Sequence, residues 1–385
     1  MIKGVYFFNE MAYSAYPQAE AERLGYTAFK FPNSHFNPDT ARSLYGMYLD
    51  ELVYATESGF DGVVINEHHN NPLNMMPGIN LIGAILARIT SKGSIVLLGN
   101  ILPIHENPVR VAEEIAMMDT ISGGRVICGF VRGNGMESLA ANVNPVFNRE
   151  RFREAHDIII KAWTTPGPFR WDGNHFHYRT INPWMLPIQK PHPPIWVPGI
   201  TSPETIVWAA QHKYTYIAQN TSLAGTPYIW KLYEEAAEAE GYKATKDSFG
   251  YLQRIFVADS DEQAYKEGRH FYWQLGRTFG RAPAHWRTPP GYRSKAAQTS
   301  GASITEAAYG SIGYEDAQQI GQVITGSPDT VIKKLKTMLD VVDPSWLVLW
   351  AREGPMEHGP AMRCLQLLGN EVIPAIKEYV PSSTI

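Results

Sequence analysis

Four short polar stretches of this chain hold residue types that can do chemistry, and each lies at or just beyond the end of an apolar run. Glu67-His68-His69 comes after Gly62-Val63-Val64-Ile65. An imidazole titrates near neutral pH, so this stretch can hold or move a proton. Arg132-Gly133-Asn134-Gly135 comes after the run Arg125 to Val131 and joins a permanent guanidinium to glycines that let the backbone approach a ligand, as an anion site requires. Thr201 and Ser202 precede Pro203-Glu204 at the start of a helix, where the positive end of the helix dipole favours a phosphate. Asn100 stands near the end of SIVLLGNIL, residues 94 to 102. Taken singly, Ser202 is an ordinary N-cap and the glycine loop an ordinary connection between strand and helix. Taken together, the four stretches describe a proton-transfer group and a phosphate corner.

Glu67-His68-His69 also suits a metal of the kind that barrel hydrolases bind at strand ends. Adjacent residues on a strand point to opposite faces, there is no His-x-His pair, and the last strand leads into Leu349-Trp350-Ala351-Arg352 without an acid. The expectation is therefore no metal, with one histidine moving protons and the other packing. No G-x-S-x-G elbow occurs, and Gly133-Asn134-Gly135 misses the dinucleotide fingerprint.

These stretches need elements that bring them to one mouth. NPVRVAEEIAMMDTISGGRVICGFV reads as a helix opened by Pro108, a glycine stop at Gly123-Gly124, and a buried strand from Arg125. Val111, Ile115 and Met118 recur at helical spacing, with Arg110, Glu113, Glu114 and Asp119 off that stripe. Further strands are expected at Val5 to Phe8, Gly62 to Ile65, Ser94 to Leu102, Ile195 to Val197, Thr215 to Ala218, Tyr251 to Ala258 and Trp346 to Trp350. Helical patterns alternate with them. Phe169 to Tyr178 is expected to be a small hairpin turning at Asp172-Gly173-Asn174. Runs apolar on both faces suit parallel strands covered by helices, and eight of them predict an α/β fold, a single (β/α)8 TIM barrel over residues 1–385 with insertions at its carboxyl face. That face is where such barrels carry their sites.

The composition narrows the function classes. With 34 Lys and Arg against 38 Asp and Glu, the net charge of -4 makes no case for nucleic acid or an anionic membrane. Cys128 and Cys364 are the only cysteines, and Cys128 lies inside an apolar strand, so a reducing compartment fits. No stretch of 18 apolar residues occurs, and a cytoplasmic protein is expected.

Glu67-His68-His69, NPVRVAEEIAMMDTISGGR with the Arg132 loop behind it, PPIWVPGITSPETIVWAA and GSPDTVIKKL together resemble the bacterial luciferase-like flavin monooxygenases. The resemblance runs from about Tyr48 to Trp230 and resumes at Gly326. It implies a barrel that binds FMN or a deazaflavin, with the phosphate held by Arg132 and Ser202 and with Thr201, Thr205 and the Asn134 backbone nearby. Leu98 and Gly99 would lie against the isoalloxazine, where members of the family have a cis non-prolyl peptide. Asn100 and Gly199 complete the expected cofactor contacts. His68 matches the family's catalytic histidine, expected as general base or as a hydrogen-bond partner of the oxygen-bearing flavin. Luciferases proper carry a reactive cysteine just before the phosphate arginine, and here that residue is Val131, which argues against light emission from a long-chain aldehyde.

The implied activity is a two-component monooxygenase that takes FMNH2 from a separate flavin reductase and uses O2 to oxygenate a small organic substrate. A deazaflavin-dependent hydride transfer and a flavin binder without turnover are the alternatives. A homodimer built on the early helices, in the element carrying Val111, Ile115 and Met118, is also expected. Residues 276–326 read as an insertion that acts as a lid over the site. No Asp or Glu occurs between Gly268 and Thr305, whereas Arg269, Arg277, Arg281, Arg287, Arg293 and Lys295 all do. Arg287, Tyr292 and Arg293 are the lid residues expected to meet flavin or substrate.

Overall fold

Residues 1–24, 30–271, 284–294 and 313–382 are described here in a computed structural model. The apolar runs are strands buried on both faces: β1 (Gly4–Phe8), β2 (Gly62–Ile65), β3 (Ser94–Ile101) and β4 (Val126–Val131). The insertion between β4 and the next core strand is an antiparallel hairpin of β5 (Phe169–Asp172) and β6 (His177–Ile181). Then come β7 (Ile195–Gly199), β8 (Thr215–Ala218), β9 (Phe249–Val257), β10 (Val323–Gly326) and β11 (Trp346–Trp350). The order β1-β2-β3-β4-β7-β8-β9-β11 returns to β1 through parallel pairing of β1 with β11, so eight parallel strands close a barrel. The (β/α)8 expectation holds.

Local chemistry sets the helices that cover it. Asn107 caps the helix Pro108–Ser122 by accepting from the Arg110 N–H, and Gly123 ends it at φ 72°. Val111, Ile115 and Met118 are buried on its inner face. They cannot form a subunit contact; the apolar side chains that face outward are Met117 and Ile121 there, and Leu81, Ile85 and Ile89 on the neighbouring helix Ile79–Ile89. No helix among the described residues is long and apolar enough to cross a membrane.

The helix Pro38–Glu57 opens where Asn37 accepts from the Thr40 N–H and Pro38 fits the first turn. A short helix, Gln18–Leu24, precedes it. The last helical stretch is broken into His358–Leu367, a π-turn at Leu368–Val372, and Ile373–Lys377, with Pro374 in the first turn of the last piece. One element departs from the sequence reading: the tail of the 276–326 insertion belongs to the sheet. The helix Tyr314–Gln319 leads into β10, which pairs with the outer part of β9, Arg254 to Val257, while β8 and β11 take its inner part.

The β3–β4 contact is tight for a chemical reason. A Cβ on Gly99 would lie 2.6 Å from the Gly129 carbonyl carbon, and one on Gly129 would lie 2.2 Å from the Leu97 oxygen, so the two backbones touch only through glycine. The Leu98-Gly99 peptide there is cis, as the resemblance implies. Just past the carboxyl ends of β1 and β11, a buried ion pair joins Arg352 Nε to Glu51 Oε2 at 3.0 Å, and the His358 Nδ1 meets the same carboxylate at 3.0 Å.

Candidate active site

A cavity of about 330 Å³ opens at the carboxyl ends of the strands. Most residues singled out in the sequence line it: His68, Leu98, Gly99, Arg132, Asn134, Gly199, Thr201, Ser202 and Thr205, with Arg287, Tyr292 and Arg293 from the insertion. Asn100 does not. It is fully buried beneath the cis peptide, and neither atom of its amide has a hydrogen-bond partner among the described residues.

The proton corner is built on buried carboxylates that sequence reading passed over. β2 ends at Ile65, so strand alternation no longer governs His68 and His69. His68 turns into the cavity, and its Nδ1 lies 2.8 Å from Glu137 Oε1. The other oxygen of Glu137 accepts the His69 backbone N–H at 3.2 Å. On the far side of the ring, His68 Nε2 stands 3.9 Å from Glu10 Oε1, which also accepts from the Asn66 amide at 2.8 Å. His69 is turned away and pairs with Glu67 at 2.8 Å.

These neighbours decide the charge of His68. Burial pulls its pKa down, but the Glu137 hydrogen bond and the charges of Glu137, Glu10 and Glu67 together outweigh that and raise it to about 9. The carboxylates thus favour the imidazolium, which carries a donor on each nitrogen. That direction suits the hydrogen-bonding role expected of His68 beside the general-base role. Glu353, just past Arg352, is the acid absent from the sequence argument about the last strand. Burial first, and then the charge of Glu10, hold it well above the usual carboxylate range.

The phosphate corner lies between the exits of β4 and β7. Arg132 leaves β4 into Gly133 at φ 73°, and Asn134 caps the short helix Gly135–Ala140 by accepting from the Met136 and Glu137 N–H groups. Across from it, Ser202 begins the helix Pro203–Gln211 without capping it by side chain; its hydroxyl donates instead to Glu204 at 3.1 Å. The buried Thr201 hydroxyl has no hydrogen-bond partner among the described residues. Arg149, which carries no local signal, comes within 3.6 Å of Glu204 and adds a second guanidinium behind Arg132.

The described part of the insertion sits directly on this corner. Arg132 stacks 4.3 Å from the Tyr292 ring centroid and donates to the Tyr292 carbonyl at 3.1 Å. The Tyr292 hydroxyl donates to the Gly133 carbonyl, and the Ser294 hydroxyl to Glu204. A Cβ on Gly135 would fall 2.5 Å from the Trp286 carbonyl oxygen, so the glycine is what lets the segment close on the loop. The remaining insertion cations Arg277, Arg281 and Lys295 lie outside the described residues.

Comparison with known proteins agrees with this arrangement. The oxygenase component of a flavin-dependent trigonelline monooxygenase from Acinetobacter baylyi is 27% identical over 250 residues, 62% of this chain and 68% of that one. The fold superposes on the FMN complex of the oxygenating constituent of 3,6-diketocamphane monooxygenase from Pseudomonas putida with a TM-score of 0.74 at 19% identity, covering 99% of this chain and 100% of that one. It also superposes on an F420-dependent secondary alcohol dehydrogenase with a TM-score of 0.68 at 16% identity, covering 98% of this chain and 99% of that one. A family model described as luciferase-like monooxygenase matches residues 45–342, which take in every strand from β2 to β10 and both corners of the cavity, and the chain belongs to that family of oxidoreductases.

Proposed function

We propose that this protein is the oxygenase of a two-component system, using FMNH2 from a separate flavin reductase and O2 to oxygenate a small organic substrate. The observation that carries the reading is one cavity with His68, hydrogen-bonded to Glu137, at one corner and a phosphate-like corner at another. The residues fit FMN: the Thr201 hydroxyl is buried without a partner beside Arg132 and Ser202, and the Leu98-Gly99 backbone borders the space between the corners. Arg132, Ser202, Thr201 and Thr205 would hold the phosphate. When bound, the reduced flavin supplies the electrons that activate O2.

The chain's own groups do the rest. His68 would hold or move a proton at its cavity-facing nitrogen, and Glu137 fixes the ring through Nδ1 and favours its charged form. The 284–294 segment covers Arg132 and Gly135 and so shields the cavity from water, acting as a lid. Mixing anaerobic protein and photoreduced FMN with aerated buffer tests the reading by stopped-flow absorbance and an oxygen electrode. Uptake of O2 with slow, multiphase reoxidation is expected. Hydride transfer by a deazaflavin would consume no O2, and failure to bind FMN would remove the proposal.

Replacing His68 by Ala is expected to leave reduced FMN affinity nearly unchanged while speeding reoxidation and peroxide release by about tenfold or more. Reoxidation at the wild-type rate would take His68 out of the oxygen chemistry.

The outward stripe of Leu81, Ile85, Ile89, Met117 and Ile121 is the surface we assign to a second copy. Leu81 is 73% exposed, and grouped apolar side chains of this kind are uncommon on a solitary chain. Light scattering should give twice the 43.1 kDa chain mass, and Leu81→Glu with Met117→Glu should halve it. A monomer mass for the wild type at micromolar concentration rejects this arrangement.

A further inference from the structure

A second group of chemically able side chains lies outside the cavity, on two of the helices that cover the barrel. His156 and Asp157 belong to the helix Asn148–Thr164, and His212 is the C-cap of the helix Pro203–Gln211. Each offers one nitrogen or oxygen atom, and these three atoms lie within 4.8 Å of one another. Bonds of about 2.0 to 2.1 Å put the ligands of a tetrahedral ion about 3.3 Å apart, so the three are within side-chain adjustment of one ion. None of them lines the cavity.

The hydrogen bonds around the two rings decide which nitrogens are offered. His212 Nδ1 lies 2.9 Å from the Trp208 carbonyl, which only accepts, so Nδ1 carries the proton and Nε2 of the neutral ring presents its lone pair. His156 is held at both nitrogens: Nε2 lies 2.8 Å from the Tyr214 hydroxyl and Nδ1 lies 2.9 Å from Asp157 Oδ1. A hydroxyl both donates and accepts. The ring proton therefore passes from Nδ1 to Nε2 when an ion takes Nδ1, and Nε2 keeps Tyr214 as its partner. An imidazole whose second nitrogen is already engaged is oriented for a metal in advance.

The surroundings suit a cation. His156 is buried, with the Trp208 ring edge-on at 4.9 Å and the His212 ring edge-on at 5.0 Å, whereas Asp157 is exposed and leaves an approach from solvent. The closing turn of Pro203–Gln211 brings the negative end of its helix dipole to His212. Lys213, next in the chain, turns its Nζ away to the Tyr242 ring, 5.1 Å from the centroid.

We propose that His156, Asp157 and His212 bind a divalent first-row transition ion such as Zn2+, with solvent completing its coordination, and that the ion clamps the two helices together. Two imidazoles and one carboxylate favour such an ion over Mg2+ or Ca2+, which take oxygen ligands. The clamp would brace the phosphate corner from behind, because the same two helices carry Arg149 near one start and Ser202 and Thr205 at the other.

Tag-free protein stripped with a chelator and titrated with Zn2+ by calorimetry, and with Co2+ by visible absorbance, tests this without any flavin. Wild type is expected to bind about one equivalent of Zn2+ at micromolar concentration or below, to give Co2+ the visible bands of a four- or five-coordinate site, and to melt at a higher temperature with Zn2+ than without. His212→Gln and Asp157→Asn should each weaken Zn2+ at least about tenfold and remove the gain in melting temperature. His69→Gln, which alters a different histidine–carboxylate pair, should bind as wild type does. Binding of Zn2+ only at millimolar concentration, affinity unchanged in both His212→Gln and Asp157→Asn, loss of the ion in His69→Gln, or tighter binding of Mg2+ than of Zn2+ each overturns the proposal. If one of the two ligand variants does not fold, the other and the wild-type Co2+ spectrum still decide.

Discussion

Replacing Glu137 with glutamine is expected to bring the His68 titration midpoint well down from about 9. The largest single influence on His68 is burial, which favours the neutral ring, and only the carboxylates overcome it. Glutamine keeps the size of Glu137 and can still accept the His69 N–H, but it removes both the charge and the acceptor facing His68 Nδ1. A histidine-selective NMR titration, assigned with His68→Gln, reads the midpoint directly. A midpoint that stays near 9 would show that Glu137 does not govern the ring.

The same shift has a signed effect on stability. The folded-state pKa is raised, so pairing of His68 contributes in full below pH 6.5 and is lost as pH rises through 9. Wild type should therefore lose chemical-denaturation stability between those values, and Glu137→Gln should lack that slope. Any step that uses His68 as a donor should fade over the same alkaline window.

Arg132→Ala is expected to weaken reduced FMN by about 1.5 to 3 kcal/mol, the loss for a charge-assisted hydrogen bond to a phosphate. Riboflavin lacks the phosphate and should bind wild type and variant almost alike. The pair of ligands matters because Arg132 also holds Tyr292 by stacking and by a hydrogen bond to its carbonyl. A variant that merely lets this segment go would weaken both ligands together. An FMN affinity equal to that of wild type would show that the phosphate sits elsewhere.

The barrel was legible because its eight strands are apolar on both faces, and few other architectures ask for that. The polar residues closing those strands were legible for the same reason: a charge at the end of a buried run has to face the mouth. Glu137 was not. It sits in the six-residue helix Gly135–Ala140, too short for a hydrophobic period, and it meets His68 only because β2, β3 and β4 lie side by side. Arg254, which lines the cavity from β9, did leave a signal. A charged residue inside YLQRIFV is costly in a strand buried on both faces unless it serves a site. β10 left almost none, since four residues flanked by a polar insertion show no period that separates strand from loop.

Closure of the barrel between β1 and β11 has a consequence for how the molecule forms. Gly4 to Phe8 find their partners only at Trp346 to Trp350, and the buried Glu51–Arg352 pair is made across 301 residues. Neither can form on the ribosome until nearly the whole chain has emerged. Until then β1 has an open edge beside β2, and Glu51 is a carboxylate awaiting its cation. Contacts this distant in sequence make folding slow and leave apolar edges exposed to other chains. The last strand thus acts as a timed latch, and substitutions near it should govern the yield of folded protein during synthesis more than the stability of the finished barrel.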